Sequence, residues 1–261
     1  MNNQVNNNAL IEVEPLESTP EIFNHIISTK LGANINIVKF FDIYSLTEPD
    51  LLNFMPRPCT GIILLFPINS TKKIMSTGEK TVSTGNNYYF FKQTIKNACG
   101  YHAILHLMAN LKTENLEMIF GDNNNLNYNK FKSFLISYKK IVNSGGDNEH
   151  LLTNLINNYI LNDLLLTTTL DTTITATENI QVDHHYISIL KTDDNKIIEF
   201  DGRNDKPSVI LSNCGEDKDL FDYSSIINNR LQELLIKKTD NTKDSSPPIT
   251  CNLLGLGPAW D

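Results

Sequence analysis

The spacing of apolar positions changes along the chain, and each change marks an element. Ile22, Phe23, Ile26, Ile27 and Leu31 recur at helical spacing, which predicts a helix. Ser18 and Glu21 are spaced for a capping box, Pro20 suits the first turn, and Gly32 is a natural stop. Residues 35–43 read as a strand. Residues 47–54 read as a short helix, ended by Pro56 and Pro58. The unbroken apolar run 61–66 reads as a buried strand. Residues 88–91 are aromatic and strand-like. Ala103, Ile104, Leu107, Met108 and Leu111 share one face of a helix expected over 97–111, with Asn97 as its N-cap. Helical patterning returns at 128–142 and 150–166. Residues 182–190 and 196–200 read as strands of a hairpin around the polar turn 192–195. An amphipathic helix over 223–238 and a strand over 249–256 follow.

Between these elements lie polar stretches. Residues 1–8 are Asn-rich, and a disordered tail is expected over 1–10. Residues 70–87 and 239–248 read as loops. Residues 167–180 are crowded with threonine and lack a period, so a long flexible loop is expected there. Compact domains rarely carry such loops without a functional reason. With no internal repeat and no linker, the element order predicts one α/β or α+β domain over 11–261.

Composition narrows the function classes. The chain has 261 residues, 40% hydrophobic and 20% charged, which excludes a wholly disordered or fibrous protein. Its 22 basic and 30 acidic residues give a net charge of −8, which argues against nucleic-acid or anionic-membrane binding and suits a basic partner. The four cysteines, Cys59, Cys99, Cys214 and Cys251, are too dispersed for zinc spacing or a disulfide scaffold. No signal peptide or apolar run of about 18 residues is present, so a reduced, soluble protein of the cytoplasm is expected, with the nucleus also open. The glycosylation sequon at Asn69 is then fortuitous. No cofactor, metal or self-association signal is evident, and a monomer is expected.

The candidate chemistry begins at Cys99. It falls in the first turn of its helix, where unpaired N–H groups and the helix dipole favour a thiolate, the form that attacks an acyl carbon. From the helix alone, an inert packed cysteine is the simpler reading. Gln93, six residues earlier, offers an amide donor that could join the Cys99 N–H in an oxyanion hole. Gly100 would let a substrate backbone approach closely. A second stretch adds the partners. His184 and His185 lie on the first hairpin strand, and Asp201 at the end of the second, so one histidine can sit beside the aspartate. Alternation sends the two histidines opposite ways, and periodicity does not settle which one meets Cys99. Nucleophile, base and orienting carboxylate would then be Cys, His and Asp. His102 and His106 share a helix face and could join a metal site, but no third ligand has suitable spacing, so packing is expected.

These segments together resemble the ubiquitin C-terminal hydrolases, a family of papain-like thiol hydrolases. The resemblance is carried by Gln93-Thr-Ile-Lys-Asn-Ala-Cys99-Gly100, by Val182-Asp-His-His185-Tyr-Ile and by Glu199-Phe-Asp201-Gly-Arg203. Phe41 to Asp50, Leu65 to Asn69 and Leu254 to Trp260 are similar to the yeast member in particular. The resemblance implies a papain-like α-β-α sandwich with a central six-stranded antiparallel sheet and a knotted path. It implies that Cys99 is the nucleophile, His185 rather than His184 the general base and acid, Asp201 its orienter and Gln93 the oxyanion donor. It also makes 167–180 a crossover loop over the active site, favouring small adducts and short extensions. The implied partner is the basic C-terminal tail of ubiquitin or a related modifier, and the acidic run 216–222 is either solvated surface or part of its docking patch. A silent ubiquitin-binding module and a Cys-His-Asp acyltransferase are the alternatives.

Overall fold

The computed structural model describes residues 11–68, 88–121, 124–166, 184–235 and 251–260. The elements in chain order are α1 (Pro20–Thr29), β1 (Val38–Asp42), α2 (Pro49–Asn53), β2 (Gly61–Pro67), α3 (Cys99–Ala109), α4 (Thr113–Phe120), α5 (Leu126–Asn143) and α6 (Glu149–Tyr159). After α6 and a π-turn over Ile160–Leu164 come β3 (His184–Lys191), β4 (Ile197–Phe200) and β5 (Ser208–Leu211). A 3-10 turn, Leu220–Tyr223, leads to α7 (Ser224–Leu235), and β6 (Asn252–Pro258) follows. The strands form one six-stranded sheet in the order β1-β6-β2-β3-β4-β5. Every neighbouring pair is antiparallel.

Helices cover both faces of the sheet, and the period of two along the strands explains how. Phe40, Ile63, Tyr186, Leu254 and Leu256 join a core with Phe23 and Ile26 of α1, Ile104 and Leu107 of α3, and Phe134 of α5. Their strand neighbours Phe41, Ile62, Leu64, Ile187 and Ile189 join a second core with Leu52 of α2 and Ile227, Leu231 and Leu234 of α7. Because both faces are covered, β2 reads in sequence as an unbroken apolar run rather than an alternating one. The α-β-α layering and the six-stranded antiparallel sheet agree with expectation. A knot is a property of the whole path, and the connections 69–87, 167–183 and 236–250 lie outside the described residues. The expected tail 1–10 and the loops over 70–87, 167–180 and 239–248 also lie outside them.

Several local expectations need correction. No capping box forms on α1: Thr19 is its N-cap, and the Ser18 hydroxyl instead donates to Asn252 Oδ1 at 3.0 Å. Pro20 does occupy the first turn; the helix ends at Thr29 with Lys30 as its C-cap, and Gly32 turns the chain two residues later, with φ +81°. Residues 35–37 lie outside β1. Among the described residues, 88–91 pair with no strand; they form a strap held by side chains. The helix α4 and the half-buried strand β5 were not legible, since both are short and weakly patterned. The hairpin turn agrees: Thr192 N–H donates to Lys196 O at 2.9 Å, and Asn195 takes φ +54°.

Candidate active site

The site forms where α3 begins, beside the first residues of β3. Cys99 is the first residue of α3 and is buried. Asn97 is not the N-cap; Ala98 takes that position. Asn97 instead adopts φ +63°, a left-handed conformation that asparagine tolerates better than most residues. This tight turn lets the chain reverse into the helix directly before Cys99. The segment from Ile11 braces it. Lys96 N–H donates to Ile11 O at 2.9 Å, and Val13 N–H donates to Lys96 O at 3.1 Å. The Glu12 carboxylate accepts from Asn97 Nδ2 at 2.8 Å and from Lys96 Nζ at 3.0 Å.

His185 is the histidine that turns inward, at 3% exposure, while His184 is exposed. Alternation sends the two to opposite faces; both faces are covered along the rest of β3, and His184 is exposed as its first residue. On β3, His185 lies opposite Phe66 of β2, whose ring meets the imidazole edge-on at 5.9 Å. Phe200 of β4 pairs with Ser188, so Asp201 leaves the strand diagonally across from His185. Its Oδ1 sits 2.7 Å from His185 Nε2 and also accepts the Arg203 N–H at 2.9 Å. The Nδ1 side of the ring is left for Cys99.

The three ionisable groups stabilise one another's charged forms. Burial opposes the Cys99 thiolate, but hydrogen bonding and charge from His185, with backbone bonds at Tyr186 and Gly100, hold its thiol below the ordinary value. Burial alone would lower His185, yet its bonds and charge interactions with Asp201 and Cys99 push it up to about 9. Burial likewise opposes ionisation of Asp201, and His185 and the Arg203 N–H outweigh it, keeping the carboxyl below its usual range. Each group therefore favours the charged form of its neighbour: Cys99 as thiolate, His185 as imidazolium and Asp201 as carboxylate. Such a set can attack an acyl carbon and return a proton to the leaving group.

Gln93 lies on the strap that leads to Cys99. Its backbone N–H donates to Gly202 O at 2.7 Å, which ties the strap to the segment after Asp201. A Cβ at Gly202 would come within 3.1 Å of Gln93 Cβ and 3.3 Å of Phe91 O, so glycine permits this close approach. Gln93 Nε2 donates to Ile95 O at 3.0 Å, while its Oε1 is buried without a partner. The structure thus brings Cys99, His185 and Asp201 into contact and anchors Gln93 to the residue following Asp201. Gly202 and Glu12 were missed as members of this assembly; for Gly202 the signal was its place directly after the aspartate.

Other residues singled out from the sequence have different surroundings. Gly100 does not open a path for a substrate backbone. A Cβ there would lie 2.9 Å from Leu16 Cδ1 and 3.3 Å from Tyr186 Cδ2, so the glycine admits the packed N-terminal segment. His102 and His106 are both fully buried, and each gives a ring nitrogen to Phe91. Among the described residues no His, Cys, Asp or Glu cluster could hold a metal ion. Cys59 and Cys214 are buried free thiols and Cys251 is half-buried; burial pushes all three upward. The run 216–222 is not wholly solvated: Asp219 is buried, caps the 3-10 turn and pairs with Arg57 at 2.9 Å.

Comparison with known proteins identifies this architecture. The family model described as ubiquitin carboxyl-terminal hydrolase, family 1, matches residues 13–232. The chain is 30% identical over 249 residues to ubiquitin carboxyl-terminal hydrolase YUH1 of Saccharomyces cerevisiae, covering 95% of this chain and 97% of that one. It is 30% identical over 253 residues to a probable ubiquitin carboxyl-terminal hydrolase of Dictyostelium discoideum, covering 93% and 86%. Among solved structures, the catalytic domain of Trichinella spiralis UCH37 bound to ubiquitin vinyl methyl ester has a similar fold, with TM-score 0.57 and 17% identity over 94% of this chain and 95% of that one. With the family model spanning most of its length and the thiol, imidazole and carboxylate assembled, the chain belongs to family 1 of the ubiquitin carboxyl-terminal hydrolases.

Proposed function

We propose that this protein is a cysteine-type deubiquitinase that hydrolyses bonds at the C-terminal glycine of ubiquitin or a closely related modifier. The observation that carries the reading is the paired Cys99, His185 and Asp201 in a chain of this family. A silent binding module would have no use for a thiol, an imidazole and a carboxylate brought together in this way. The acidic net charge of −8 suits the basic tail of the modifier. Small adducts and short extensions are the favoured leaving groups. We take residues 11–261 as one catalytic domain, acting as a monomer. In support, β1 pairs with β6 from the far end of the chain, Val38 opposite Pro258. Among the described residues no helix is long and apolar enough to cross a membrane. The free cysteines fit a reducing compartment, and we place the protein in the cytoplasm, with access to the nucleus.

The reaction proceeds through a thioester. The Cys99 thiolate adds to the carbonyl carbon of the terminal glycine, and the carbonyl oxygen takes the negative charge. The Cys99 N–H and the Gln93 amide, which has a second hydrogen beyond its bond to Ile95, stabilise that oxyanion. As the tetrahedral species collapses, the His185 imidazolium protonates the departing amine or thiol. Neutral His185 then takes a proton from water as the water oxygen attacks the thioester. Collapse expels Cys99 as thiolate and leaves His185 protonated again. Asp201 stabilises the imidazolium in both stages.

The decisive test uses ubiquitin carrying a thiol-reactive electrophile at its C-terminus, mixed with wild type and with Cys99→Ala, and the products weighed. A one-to-one adduct on wild type alone is expected. Folded wild type that forms none sinks the reading for this modifier, and transfer to an added amine in preference to water would favour the acyltransferase. Gln93→Ala should lower kcat by roughly 10²–10³-fold with ubiquitin binding retained.

A further inference from the structure

The strap before the nucleophile belongs to no described sheet, yet its backbone from Tyr89 to Phe91 is fully engaged. Side chains of α3 and α5 take the place of a neighbouring strand. Asn110, which caps α3, accepts the Tyr89 N–H at 2.8 Å and donates to Tyr89 O at 2.9 Å. The Tyr138 hydroxyl accepts the Phe90 N–H at 3.3 Å and donates to Phe90 O at 2.6 Å. Phe91 is served by a pair of histidines. Its N–H donates to His106 Nε2 at 2.8 Å, and its carbonyl accepts from His102 Nδ1 at 3.0 Å. His102, His106 and Asn110 are spaced by four and form one stripe along α3. The His106 ring is further stacked against Phe90 at 5.2 Å and Phe91 at 5.4 Å.

This arrangement needs His106 neutral and fixes a proton position on each ring. A carbonyl only accepts, so His102 carries its proton on Nδ1; an N–H only donates, so His106 Nε2 is bare and its proton is on Nδ1. Burial holds both rings uncharged, His102 pushed down to about 4 and His106 well below its ordinary value. The stripe starts one turn after Cys99, on the same helix. Two residues beyond Phe91, Gln93 is tied to Gly202. The nucleophile and the Gln93 donor are therefore set by the same helix, one directly and one through the strap.

We propose that His102 and His106 are positioning residues for the oxyanion hole: through the backbone of Phe91 they fix where Gln93 lies relative to Cys99. The inference rests on the deubiquitinase reading for its kinetic arm. A displacement of Gln93 by a fraction of an ångström weakens the stabilisation of the oxyanion and leaves the thiolate intact. His102→Leu and His106→Leu should each lower kcat on a fluorogenic ubiquitin C-terminal amide by about tenfold to a hundredfold, with KM unchanged. The rescue is residue-specific. The amide nitrogen of Asn overlays His Nδ1, and the amide oxygen of Gln overlays His Nε2. His102→Asn and His106→Gln should therefore restore most of the rate, and the exchanged pair His102→Gln and His106→Asn should not. In a Gln93→Ala background the leucine substitutions should cost little more, because the group they position is gone. Alkylation of Cys99 by iodoacetamide forms no oxyanion and should keep its rate.

Full multiplicative losses on Gln93→Ala, or alkylation slowed in parallel with hydrolysis, would overturn the proposal. Should the leucine variants fail to fold, nitrogen-resolved NMR of the wild type tests the geometry directly. Both imidazoles should be Nδ1–H tautomers and the Phe91 amide protected from exchange. A cationic or Nε2–H His106 would overturn it. Wild type that leaves the ubiquitin amide uncut refutes the deubiquitinase reading, whereas an active wild type with additive variants refutes only the strap.

Discussion

The buried pair joining α7 to β4 permits a prediction with a definite sign. Arg230 grips Glu199 through parallel bonds, Nε to Oε2 at 2.7 Å and Nη2 to Oε1 at 2.9 Å. Glu199 is 2% exposed and Arg230 11%. Desolvation and attraction are both large for such a pair and nearly cancel, so its net worth is small. Removing one partner is a different matter, because the other charge stays buried and unpaired. Arg230→Met keeps the aliphatic volume and strands Glu199, at a cost of about 3–5 kcal/mol. A chain of this length shifts by roughly 2–3 °C per kcal/mol, so the melting temperature should fall by about 6–15 °C. The double variant Glu199→Leu/Arg230→Met leaves no stranded charge and should melt near or above wild type. Glu233 also accepts from Arg230, at 2.9 Å, but is largely exposed; Glu233→Gln should cost less than about 1 kcal/mol. Calorimetry of the set decides the matter. A double variant that melts below Arg230→Met would refute the reasoning.

Three further outcomes follow from the site. The rate profile in kcat/KM should rise with pH as the Cys99 thiolate forms and fall as the His185 imidazolium, pushed up to about 9, loses its proton. Asp201→Asn removes the carboxylate that raises His185, so the alkaline limb should move to lower pH; a stationary limb would contradict that assignment. Gly202→Ala places a methyl 3.1 Å from Gln93 Cβ, against an optimum near ~3.5–4.0 Å, and should lower kcat while ubiquitin affinity, read by titration calorimetry, stays put. Gly100→Ala drives a methyl to 2.9 Å from Leu16 Cδ1 and should destabilise by about 1–3 kcal/mol in denaturant melts, with Leu16→Ala on the same chain recovering part of the loss.

The parts of this protein that were legible beforehand are those governed by local pattern. The strand β2, the helices α1 and α3 and the hairpin of β3 and β4 follow from apolar spacing and turn residues. Cys99, His185, Asp201 and Gln93 were singled out partly by residue type and partly by resemblance to a family. The choice between His184 and His185 shows the boundary. Alternation dictates that the two face opposite ways, but which face meets Cys99 depends on the register of β3 against β2, His185 opposite Phe66, which is a long-range fact. Ser18 and Asn97 failed for a related reason. Each is a good local cap, and each is claimed by a distant partner, Asn252 and Glu12 respectively. The strand-like reading of 88–91 was wrong about its partner, since side chains of two helices supply the hydrogen bonds.

Polar residues on a buried helix are ambiguous in sequence, because a ligand, a catalyst and a structural acceptor use the same atoms. Burial resolves the ambiguity in one direction. A fully buried imidazole without a carboxylate must be neutral, and a neutral ring offers one donor and one acceptor. The Phe91 backbone needs one of each, and the pair His102 and His106 meets that need with a single proton placement. His185 is buried as deeply but faces Asp201 and Cys99, and there the same ring is held charged. What separates the histidine suited to acid–base work from the two that hold backbone is therefore the carboxylate at 2.7 Å rather than exposure or helix position. That carboxylate lies sixteen residues away, just past the end of another strand. Roles on α3 can accordingly be assigned only once the sheet has brought β4 alongside β3.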